Sequence, residues 1–487
     1  MRRASCVAVL VGWALFAIRT AGIGQEIKPP RTGPNVVLIL MDDMGYGDLD
    51  AYGGIDYVTP HIDRLSAQGM RFTDFYSAQP ICTASRAGLM TGCYPNRIGL
   101  YGALGPYSRI GISDSEVTIA QMLKSKGYAT GIIGKWHLGV GERFSPLRHG
   151  FDEYFGIPYS NDMWPVDYDG KPIVDTSGYR GKYPPLPLME GDKVIRYLKT
   201  LADQSTLTTI YTQRAVSFIT RNRERPFFLY LAHTMVHVPL AVSDKFKGKS
   251  KQGLFGDVMM EIDWSVGQVM QAIHDNGLDN NTLIIFTSDN GPWLTFGNHA
   301  GSAGGLREGK MTTFEGGQRE PAIFSWPGTI PAGTVCNQLA CGIDILPTLS
   351  AITGASLPGH TIDGVSILPL LRGSADACPR DRLYFYYDRN SLEAVREGSW
   401  KLVLPHRFES NENEPPGKDG RPGRIHIDST GYALFDLRRD PGERNNVKDQ
   451  NPATVQKLLQ LAEEAREDLG DDLTARPGRN RRPAGKL

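Results

Sequence analysis

The 487-residue sequence has no excess charge of either sign, few cysteines and no long hydrophobic run. Lysine plus arginine total 53, and aspartate plus glutamate also total 53, so no global positive field exists to attract nucleic acid. Six cysteines in a chain of this length exclude a fold dominated by disulfides. Hydrophobic residues make up 40% of the chain and no internal repeat is visible, which favours a globular protein and excludes intrinsic disorder.

The N-terminus has the layout of a secretory signal peptide. Arg2 and Arg3 precede an apolar run from Cys6 to Ile18, and small residues follow it. The run is shorter than the roughly 20 residues that span a bilayer. We therefore predict that residues 1–24 are a signal peptide and that the mature protein is exported, periplasmic or secreted, without stable membrane insertion. The alternative is a buried N-terminal strand or helix. The sequence does not indicate an oligomeric state.

The next segment, residues 25–375, has the pattern of an α/β domain. Continuous apolar runs of strand length occur at Asn35–Met41, Ala129–Ile133, Pro226–Ala232 and Thr282–Thr287. Amphipathic helical patterns lie between them, at Thr59–Gly69, Val117–Lys126, Ser205–Arg221 and Gly256–Asn276. Buried strands that alternate with helices predict a mixed, mainly parallel sheet sandwiched by helices.

The pattern changes after about residue 375. Shorter strands separated by turns are predicted at Leu383–Tyr387, Leu392–Arg396, Trp400–Leu404 and Tyr432–Asp436, and a helix at Pro452–Leu469. We therefore predict a smaller C-terminal α+β domain at 376–470, with a short antiparallel sheet and a helix. The polar, Pro/Gly-rich residues 406–429 are predicted to form a mobile loop, and residues 471–487 a basic, flexible tail.

Polar residues follow each of the four buried strands. They are Asp42 and Asp43, then Lys135 and His137, then His233 and His237, and finally Asp289 and Asn290. Because ligands bind at the carboxyl ends of the strands of such sheets, we expect these side chains to share one site. The three aspartates and Asn290 offer oxygen donors, which suit Ca²⁺, or as a second choice Mg²⁺, rather than zinc. The alternative interpretation is that each acid merely caps the helix that follows.

A short helix is predicted to begin at Cys82 and to end at Gly92. Its N-terminus would attract an anion, and Arg86 lies one turn further on the same face. A core cysteine beside a surface arginine explains the same pentapeptide equally well. Without Cys6 the mature chain has an odd number of cysteines, which indicates one special thiol. Cys336 and Cys341 are near enough in sequence to close a short disulfide loop, but the sequence does not give their geometry.

These residues carry a family resemblance. Cys82-Thr-Ala-Ser-Arg86 followed by Ala-Gly-Leu-Met-Thr-Gly92 resembles the signature of the type I sulfatases, within the alkaline phosphatase superfamily. Further matching segments are Leu40–Asp48, Gly134–Gly139, Phe155–Ser160, Thr287–Gly291 and Gly309–Gly317. The resemblance extends from about Asn35 into the C-terminal domain. Among the branches of the family, the motifs are similar to those of arylsulfatase A and N-acetylgalactosamine-6-sulfatase, and they imply an alkaline-phosphatase-like fold.

The resemblance implies a role for each site residue. In the family the signature cysteine, here Cys82, is oxidised by a formylglycine-generating enzyme to formylglycine, whose hydrated gem-diol attacks sulfur. The implied Ca²⁺ ligands are Asp42, Asp43, Asp289, Asn290 and the oxygen of residue 82. Arg86, assisted by His137, would hold the diol, and Lys135, Lys310 and His237 would contact the sulfate. His237 or Lys310 would protonate the leaving alkoxide, and Ser160 matches a hydroxyl position near the nucleophile. His237 fits the family pattern His-x-Pro better than His233 does.

The implied activity is cleavage of sulfate from a sulfated carbohydrate or an aryl sulfate. Two alternatives remain open: a phosphomonoester or phosphonate hydrolase of the same superfamily, and a non-catalytic sulfated-glycan-binding protein in which Cys82 is unmodified. Ala84 stands where many members carry proline, so the sequence does not indicate which modifying enzyme acts on Cys82. Residues at the pocket mouth are expected among Tyr107, Trp164, Trp293, His299 and the segment 406–429.

Overall fold

The computed structural model describes Met1 and residues 33–54, 57–175, 177–374 and 378–487. The predicted signal peptide, apart from Met1, lies outside the described residues. In the part of the chain that is described, no helix is long and apolar enough to cross a membrane.

Among the described residues, twelve strands precede the C-terminal region. They are β1 (Asn35–Met41), β2 (Met70–Tyr76), β3 (Ile110–Gly111), β4 (Ala129–Lys135), β5 (Glu153–Ile157), β6 (Leu186–Glu190), β7 (Lys193–Leu198), β8 (Phe227–Ala232), β9 (Thr282–Ser288), β10 (Arg319–Ser325), β11 (Thr334–Cys336) and β12 (Ala340–Cys341). All of them except β3 join one sheet with the order β11-β2-β10-β9-β1-β8-β4-β5-β6-β7, in which β12 also pairs with β2. The central strands β9, β1, β8, β4 and β5 run parallel, whereas β10, β6 and β7 are antiparallel to their neighbours. The predicted mixed, mainly parallel sheet is therefore confirmed.

Nine helices accompany this sheet among the described residues. They are α1 (Pro60–Ala67), α2 (Cys82–Thr91), α3 (Ile119–Lys124), α4 (Leu201–Gln204), α5 (Leu207–Arg221), α6 (Gly253–Asp275), α7 (Glu315–Gln318), α8 (Ile345–Thr353) and α9 (Leu368–Leu371). Strand β1 shows why the sheet is covered on both faces. Val37, Ile39 and Met41 pack in one hydrophobic cluster, and the alternating Val36, Leu38 and Leu40 pack in a second one. Every residue of β1 is buried, so its continuous apolar sequence is that of a strand inside a sandwich.

The C-terminal region forms a separate antiparallel sheet. Its strands β13 (Arg382–Tyr387), β14 (Ser391–Glu397), β15 (Trp400–Val403) and β18 (Ala433–Asp436) pair in that order, and α10 (Pro452–Leu469) supplies buried leucines to the same core. The predicted smaller α+β part is confirmed. The boundary predicted at residue 375 falls within 375–377, outside the described residues, and stays a prediction.

Two segments differ from the sequence-based expectation. Residues 406–429 are not simply a loop, because β16 (His406–Ser410) and β17 (His426–Thr430) pair as an antiparallel hairpin. The basic segment 471–487 is not a free tail either. Its strand β19 (Gly485–Lys486) pairs with β3, and Arg482 bonds both carboxylate oxygens of the buried Glu116 at 2.7 and 2.8 Å. The basic composition of the segment indicates a solvated tail, because composition does not encode these specific tertiary contacts.

Candidate active site

The ends of β1 and β9 bring three aspartates together. The two strands are parallel neighbours in register, with Met41 opposite Ser288, so Asp42 and Asp43 emerge beside Asp289. All three side chains are buried. The backbone N–H of Asp43 donates to Oδ1 of Asp289 at 3.3 Å. The predicted convergence of these strand ends is present in the structure.

Asn290 completes this group and is held by close packing of the backbone. Its Nδ2 donates to Oδ1 of Asp43 at 2.7 Å. The next residue is Gly291, where an added Cβ would lie 1.9 Å from the backbone oxygen of Gly316. A side chain at Gly291 would therefore push the loop away from α7 and displace Asn290.

Helix α2 places Cys82 and Arg86 against the aspartates. The Cys82 thiol donates to Oδ1 of Asp42 at 3.6 Å. Arg86 is fully buried, and it donates to Oδ2 of Asp289 through Nε at 2.9 Å and contacts the same oxygen through a terminal nitrogen at 2.8 Å. The arginine is thus not the surface residue of the alternative interpretation, because it is an internal partner of the acidic group.

Strand β4 contributes Lys135 and, two residues later, His137. Lys135 Nζ donates to Oδ2 of Asp42 at 2.6 Å and to Oγ of Ser160 at 3.1 Å. His137 Nε2 lies 3.0 Å from the backbone oxygen of Leu104, which only accepts, so Nε2 carries the proton and donates. Burial, followed by Lys135 and Arg86, lowers the pKa of His137 well below its ordinary value. The neutral ring leaves its buried Nδ1 as an acceptor without a partner among the described residues.

The two histidines after β8 occupy different environments. His237 lies with Nε2 3.5 Å from Oδ2 of Asp43 and with its ring 5.7 Å from that of Trp293. His233 instead lies with Nε2 3.2 Å from Oγ of Ser265 on α6, and burial lowers its pKa to about 3. The structure therefore brings His237, and not His233, to the acidic group.

Lys310 reaches the same group from the loop before α7. Its Nζ donates to both oxygens of Asp43, at 2.7 and 2.9 Å, and lies 3.3 Å from Sγ of Cys82. Asp43 raises the pKa of Lys310 well above its ordinary value despite the opposing effect of burial. The lysine is thus charged at neutral pH, directly beside the signature cysteine.

The charges of this cluster balance before any ligand is considered. The carboxylates of Asp42, Asp43 and Asp289 form ion pairs with Arg86, Lys135 and Lys310. Burial and the neighbouring Asp42 raise the pKa of Asp289 to about 6. A divalent cation would relieve the repulsion between the neighbouring carboxylates of Asp42 and Asp289. It would also give the pocket a net positive charge, which favours an anionic ligand.

The donor set also fits such a cation. Asp42, Asp43, Cys82 and His237 form one of the groups whose ligand atoms lie within 4.8 Å of one another. Oδ1 of Asn290 is buried and has no hydrogen-bond partner among the described residues. A buried amide oxygen without a partner is unfavourable unless a cation or a water occupies it. Asn290 thus has a free acceptor beside three carboxylates, as a site for a hard cation requires.

Burial also determines the protonation state of the Cys82 thiol. It raises the pKa of Cys82 to about 12, although Lys135 and Lys310 oppose the effect. At neutral pH the unmodified residue is therefore a thiol and a poor nucleophile, because the thiolate is the reactive form.

A cavity of about 280 Å³ opens over this cluster. Its wall contains Cys82, His137, Ser160, His237 and Lys310 of the predicted site, together with Trp293. Among the other residues expected at its mouth, the prediction for Trp164 is wrong, because this side chain is fully buried in the core. Tyr107 and His299 are not among the lining residues, and Tyr107 is exposed and donates to the backbone oxygen of Lys182.

Part of the cavity wall could not be predicted from the sequence. The missed residues are Ile81, Ala103, Asp162, Met163, Tyr168, Tyr179, Arg180, Tyr183 and Met311. Strand β5, which the short run at 153–157 did not reveal, is parallel to β4 and places Ser160 and Asp162 beyond its end. Recognition of β5 would have identified Asp162 by the same strand-end argument as Asp42. No local signal marks the tyrosines or Arg180.

The possible disulfide between Cys336 and Cys341 does not form. Both cysteines are free, because Cys336 pairs with Phe72 and Cys341 with Tyr76 along β2. A spacing of four residues along a strand places the two thiols about 13 Å apart, beyond the reach of a disulfide.

Comparison with known proteins agrees with this geometry. The sequence model of the sulfatase family matches residues 34–355, and that of the C-terminal region of aryl-sulfatase matches residues 379–483. The chain belongs to the sulfatase family. It is 40% identical to arylsulfatase A of Bos taurus over 93% of this chain and 90% of that protein. It is also 40% identical to N-acetylgalactosamine-6-sulfatase of Homo sapiens over 87% of this chain and 83% of that protein.

Solved structures give the same relationship. A sulfatase from Pseudoalteromonas sp., PsFucS1, superposes with a TM-score of 0.79 at 29% identity and covers 89% of each chain. A protein from Bacteroides thetaiotaomicron, described in work on the metabolism of multiple glycosaminoglycans, has a TM-score of 0.73 at 31% identity, over 89% of this chain and 99% of its own. The protein is therefore an enzyme that hydrolyses sulfate esters of carbohydrate or aryl substrates.

Proposed function

We propose that this sulfatase removes sulfate from a sulfated carbohydrate by means of a formylglycine formed from Cys82 and one Ca²⁺ ion. The observation that carries the proposal is the position of Cys82. It lies at the first turn of α2, 3.3 Å from Lys310 Nζ and 3.6 Å from Oδ1 of Asp42, where it is a protonated thiol and not a thiolate. A protonated thiol in this position is a poor nucleophile. Cys82 must therefore be oxidised to formylglycine before residue 82 can supply a nucleophilic oxygen.

The proposed ligands of Ca²⁺ are Asp42, Asp43, Asp289, Asn290 and the oxygen of residue 82. When bound, the cation supplies electrostatic stabilisation of charge on the sulfate oxygens, and the hydrated aldehyde supplies the attacking oxygen. Arg86 holds residue 82 and the acids in place through its bonds to Asp289. The unpartnered Nδ1 of His137, which lines the same cavity as Cys82, would accept a hydrogen bond from a hydroxyl of the hydrated residue 82.

Lys135, Lys310 and His237 are proposed to bind the sulfate group. Both lysines are buried, and charge-assisted hydrogen bonds from an ammonium group to an oxyanion are strong. His237 and Lys310 are also the residues proposed to deliver the proton to the leaving alkoxide, since both lie against Asp43 at the cavity. Ser160, which accepts from Lys135, is proposed to keep that lysine oriented toward the substrate.

The alternative of a phosphomonoester or phosphonate hydrolase is less well supported. Phosphatases of the superfamily commonly use two transition metals with several histidine ligands. In the described residues, the candidate metal group at the cavity contains one histidine, His237, and the remaining donors are mainly oxygens. We also propose that the protein is exported and is matured by a formylglycine-generating enzyme that accepts Ala84.

The proposal is tested by mass spectrometry of the tryptic peptide Phe72–Arg86 from protein of the native host. We expect the aldehyde, or its hydrate, in place of the Cys82 thiol, together with release of sulfate from sulfated sugars. The matched control is Cys82→Ala, which should bind a sulfated sugar but not turn it over. An unmodified thiol in fully processed, active protein would contradict the formylglycine proposal. A thiol in inactive protein that still binds the sugar would favour the glycan-binding alternative.

A further inference from the structure

A second group of metal-ligating side chains lies outside the active site. Its members are Cys93, Glu116 and His360, and one ligand atom of each lies within 4.8 Å of those of the other two. Cys82 begins α2 and Cys93 follows its end, so the helix, about 15 Å long at 1.5 Å per residue, separates the group from the active site. The chemistry proposed for residue 82 uses none of the three side chains.

Three separate loops bring these side chains together. Cys93 lies after α2, Glu116 lies between β3 and α3, and His360 lies between α8 and α9. Cys93 and Glu116 are buried, whereas the side chain of His360 is 23% exposed. The group is therefore enclosed by the protein on the side of the cysteine and can be reached from solvent on the side of the histidine.

The three donor atoms are a sulfur, an imidazole nitrogen and a carboxylate oxygen. This set is typical of Zn²⁺, and it differs from the oxygen-rich donors of the active site, which suit Ca²⁺. Nε2 of His360 approaches Oε2 of Glu116 to 3.4 Å, yet it makes no hydrogen bond to any described residue. A metal ion bound by both atoms would stabilise this arrangement.

Arg482 already places a positive charge in this group. Its guanidinium donates to both oxygens of Glu116, at 2.7 and 2.8 Å, and one of the same nitrogens lies 3.3 Å from Sγ of Cys93. The third nitrogen donates to the backbone oxygen of Thr361 at 3.0 Å. Because the guanidinium contacts two of the three donors, a metal ion could bind them only in its place.

The charges permit such an exchange. Burial raises the pKa of Cys93 to about 12, and burial lowers the pKa of His360 despite the opposing Glu116, so the thiol is protonated and the imidazole neutral at pH 7. The negative charge of Glu116 is then balanced by Arg482. A thiol that coordinates zinc releases its proton. One Zn²⁺ with the thiolate and the carboxylate is again neutral once Arg482 has moved into solvent.

We propose that Cys93, Glu116 and His360 form a Zn²⁺ site in which the metal ion replaces the guanidinium of Arg482. The ligand atoms of tetrahedral zinc lie about 3.5 Å apart, so the donors must approach one another by about 1 Å. His360 is the side chain that moves, because it is partly exposed and lies in a loop. The site goes beyond the proposed function, and its occupancy decides whether the C-terminal segment is bonded to Glu116.

The test measures Zn²⁺ binding to the full-length protein saturated with Ca²⁺, by calorimetry and by the thermal midpoint. We expect the wild type to bind one Zn²⁺ at this site and to be stabilised by it. Cys93→Ser and His360→Ala each remove a ligand and should weaken binding at least about 10-fold. With Co²⁺ as the probe, the near-ultraviolet absorption of a cobalt–thiolate bond should be lost in Cys93→Ser and retained in the matched variant Cys82→Ala.

Arg482→Ala tests the exchange itself. It removes the competing guanidinium, whose hydrogen bonds to a charged group contribute about 10- to 100-fold to an equilibrium constant, so Zn²⁺ should bind more tightly by about this factor. Zn²⁺ should also restore part of the stability that the variant has lost, because the metal supplies the missing positive charge at Glu116. Arg481→Ala is the matched control and should bind Zn²⁺ as the wild type does, since Arg481 bonds only backbone oxygens.

Three results would overturn the inference. The first is a wild type that binds no Zn²⁺. The second is wild-type affinity in both Cys93→Ser and His360→Ala, because the metal would then lie elsewhere. The third is an Arg482→Ala variant that binds Zn²⁺ no more tightly than the wild type. None of them bears on the proposed function, which depends on the aldehyde at residue 82 and on the release of sulfate.

Discussion

Asp43 and His137 both have a left-handed backbone, with φ of 62° at each. Residues other than glycine seldom adopt this conformation, and when they do the surrounding structure must hold them there. Asp43 bonds Lys310 and Asn290, and the backbone oxygen of His137 accepts from Thr83 on α2. Side chains from two loops and from α2 thus fix two unfavourable backbone positions at the cavity, which indicates a preorganised site.

The two histidines after β8 give the first prediction at this scale. His237→Ala should lower kcat by about 10²- to 10⁴-fold, because it removes a proposed acid and sulfate ligand beside Asp43. His233→Ala should leave kcat nearly unchanged and lower the free energy of unfolding by about 2 kcal/mol, because it empties a buried position that contacts Ser265. Steady-state kinetics and urea denaturation of both variants separate the roles. A large loss of kcat in His233→Ala would contradict the assignment.

Asn290 gives a prediction about the metal. Ca²⁺ should raise the thermal midpoint of the wild type, since a ligand that binds only the folded state stabilises it. In Asn290→Ala, Ca²⁺ binding should weaken about 10- to 100-fold, and the stabilisation at a fixed Ca²⁺ concentration should fall accordingly. The control is Asn222→Ala, a buried asparagine that caps α5, which should lose the same stability with and without Ca²⁺. A wild type that Ca²⁺ does not stabilise would refute the proposed metal.

The strand-end residues could be predicted from sequence, whereas the rest of the cavity could not. Asp42, Asp289 and Lys135 follow apolar runs whose parallel pairing brings their ends to one edge, so local pattern and topology agree. Lys310 was named only through the family resemblance. Arg180 lies in a segment without hydrophobic periodicity, and its position depends on tertiary contacts with Tyr168 and Asp167 that no local pattern encodes.

At the scale of elements, the packing of helix α2 explains why the signature sequence contains so many small side chains. All its residues are buried, and an added Cβ at Gly88 would lie 2.8 Å from the Cβ of Ala78. The helix must approach its neighbours this closely for Cys82 and Arg86 to reach the ends of β1 and β9. Small residues in α2 are therefore a packing requirement of the site.

The C-terminal segment gives a prediction for one element. In Arg482→Ala, Glu116 loses both of its bonds to the guanidinium while it stays buried, so the free energy of unfolding should fall by about 2–3 kcal/mol. Arg481→Ala is the matched control, since Arg481 bonds only backbone oxygens and should cost less than about 1 kcal/mol. Urea denaturation measures both values. Equal stabilities of the two variants would show that the segment contributes nothing through Glu116.

At the scale of the whole molecule, a buried network of charged side chains connects the C-terminal sheet with helix α7 of the large α/β part. Lys401 on β15 donates to the backbone oxygen of Thr313 and contacts Glu315 and Glu443 at 3.0 and 2.9 Å, and all three charged side chains are buried. Separation of the C-terminal sheet from α7 would leave these charges unpaired in the interior, at a cost of several kcal/mol. The described residues from 33 onward belong to one compact unit, and this network is a physical reason for the two sheets to unfold together.

Glu393 on β14 gives the prediction for the stability of the whole molecule against pH. It accepts from the hydroxyl of Thr313 at 2.8 Å, and burial raises its pKa from 4.5 to about 8. Between these two values the folded state holds a proton that the unfolded state has lost, so the contribution of Glu393 to stability falls as pH rises from about 4.5 to 8.

The slope from this one group is at most about 1.4 kcal/mol per pH unit. Glu393→Gln keeps the shape of the side chain and cannot ionise, so its urea midpoint should decline less than that of the wild type across the same window. Glu397→Gln, at the partly exposed end of the same strand, should retain the wild-type slope. Parallel pH profiles for the wild type and Glu393→Gln would mean that Glu393 is ionised in the folded state. His406, whose Nε2 lies 3.4 Å from Oε2 of Glu393, would then have to be protonated and to supply the compensating positive charge.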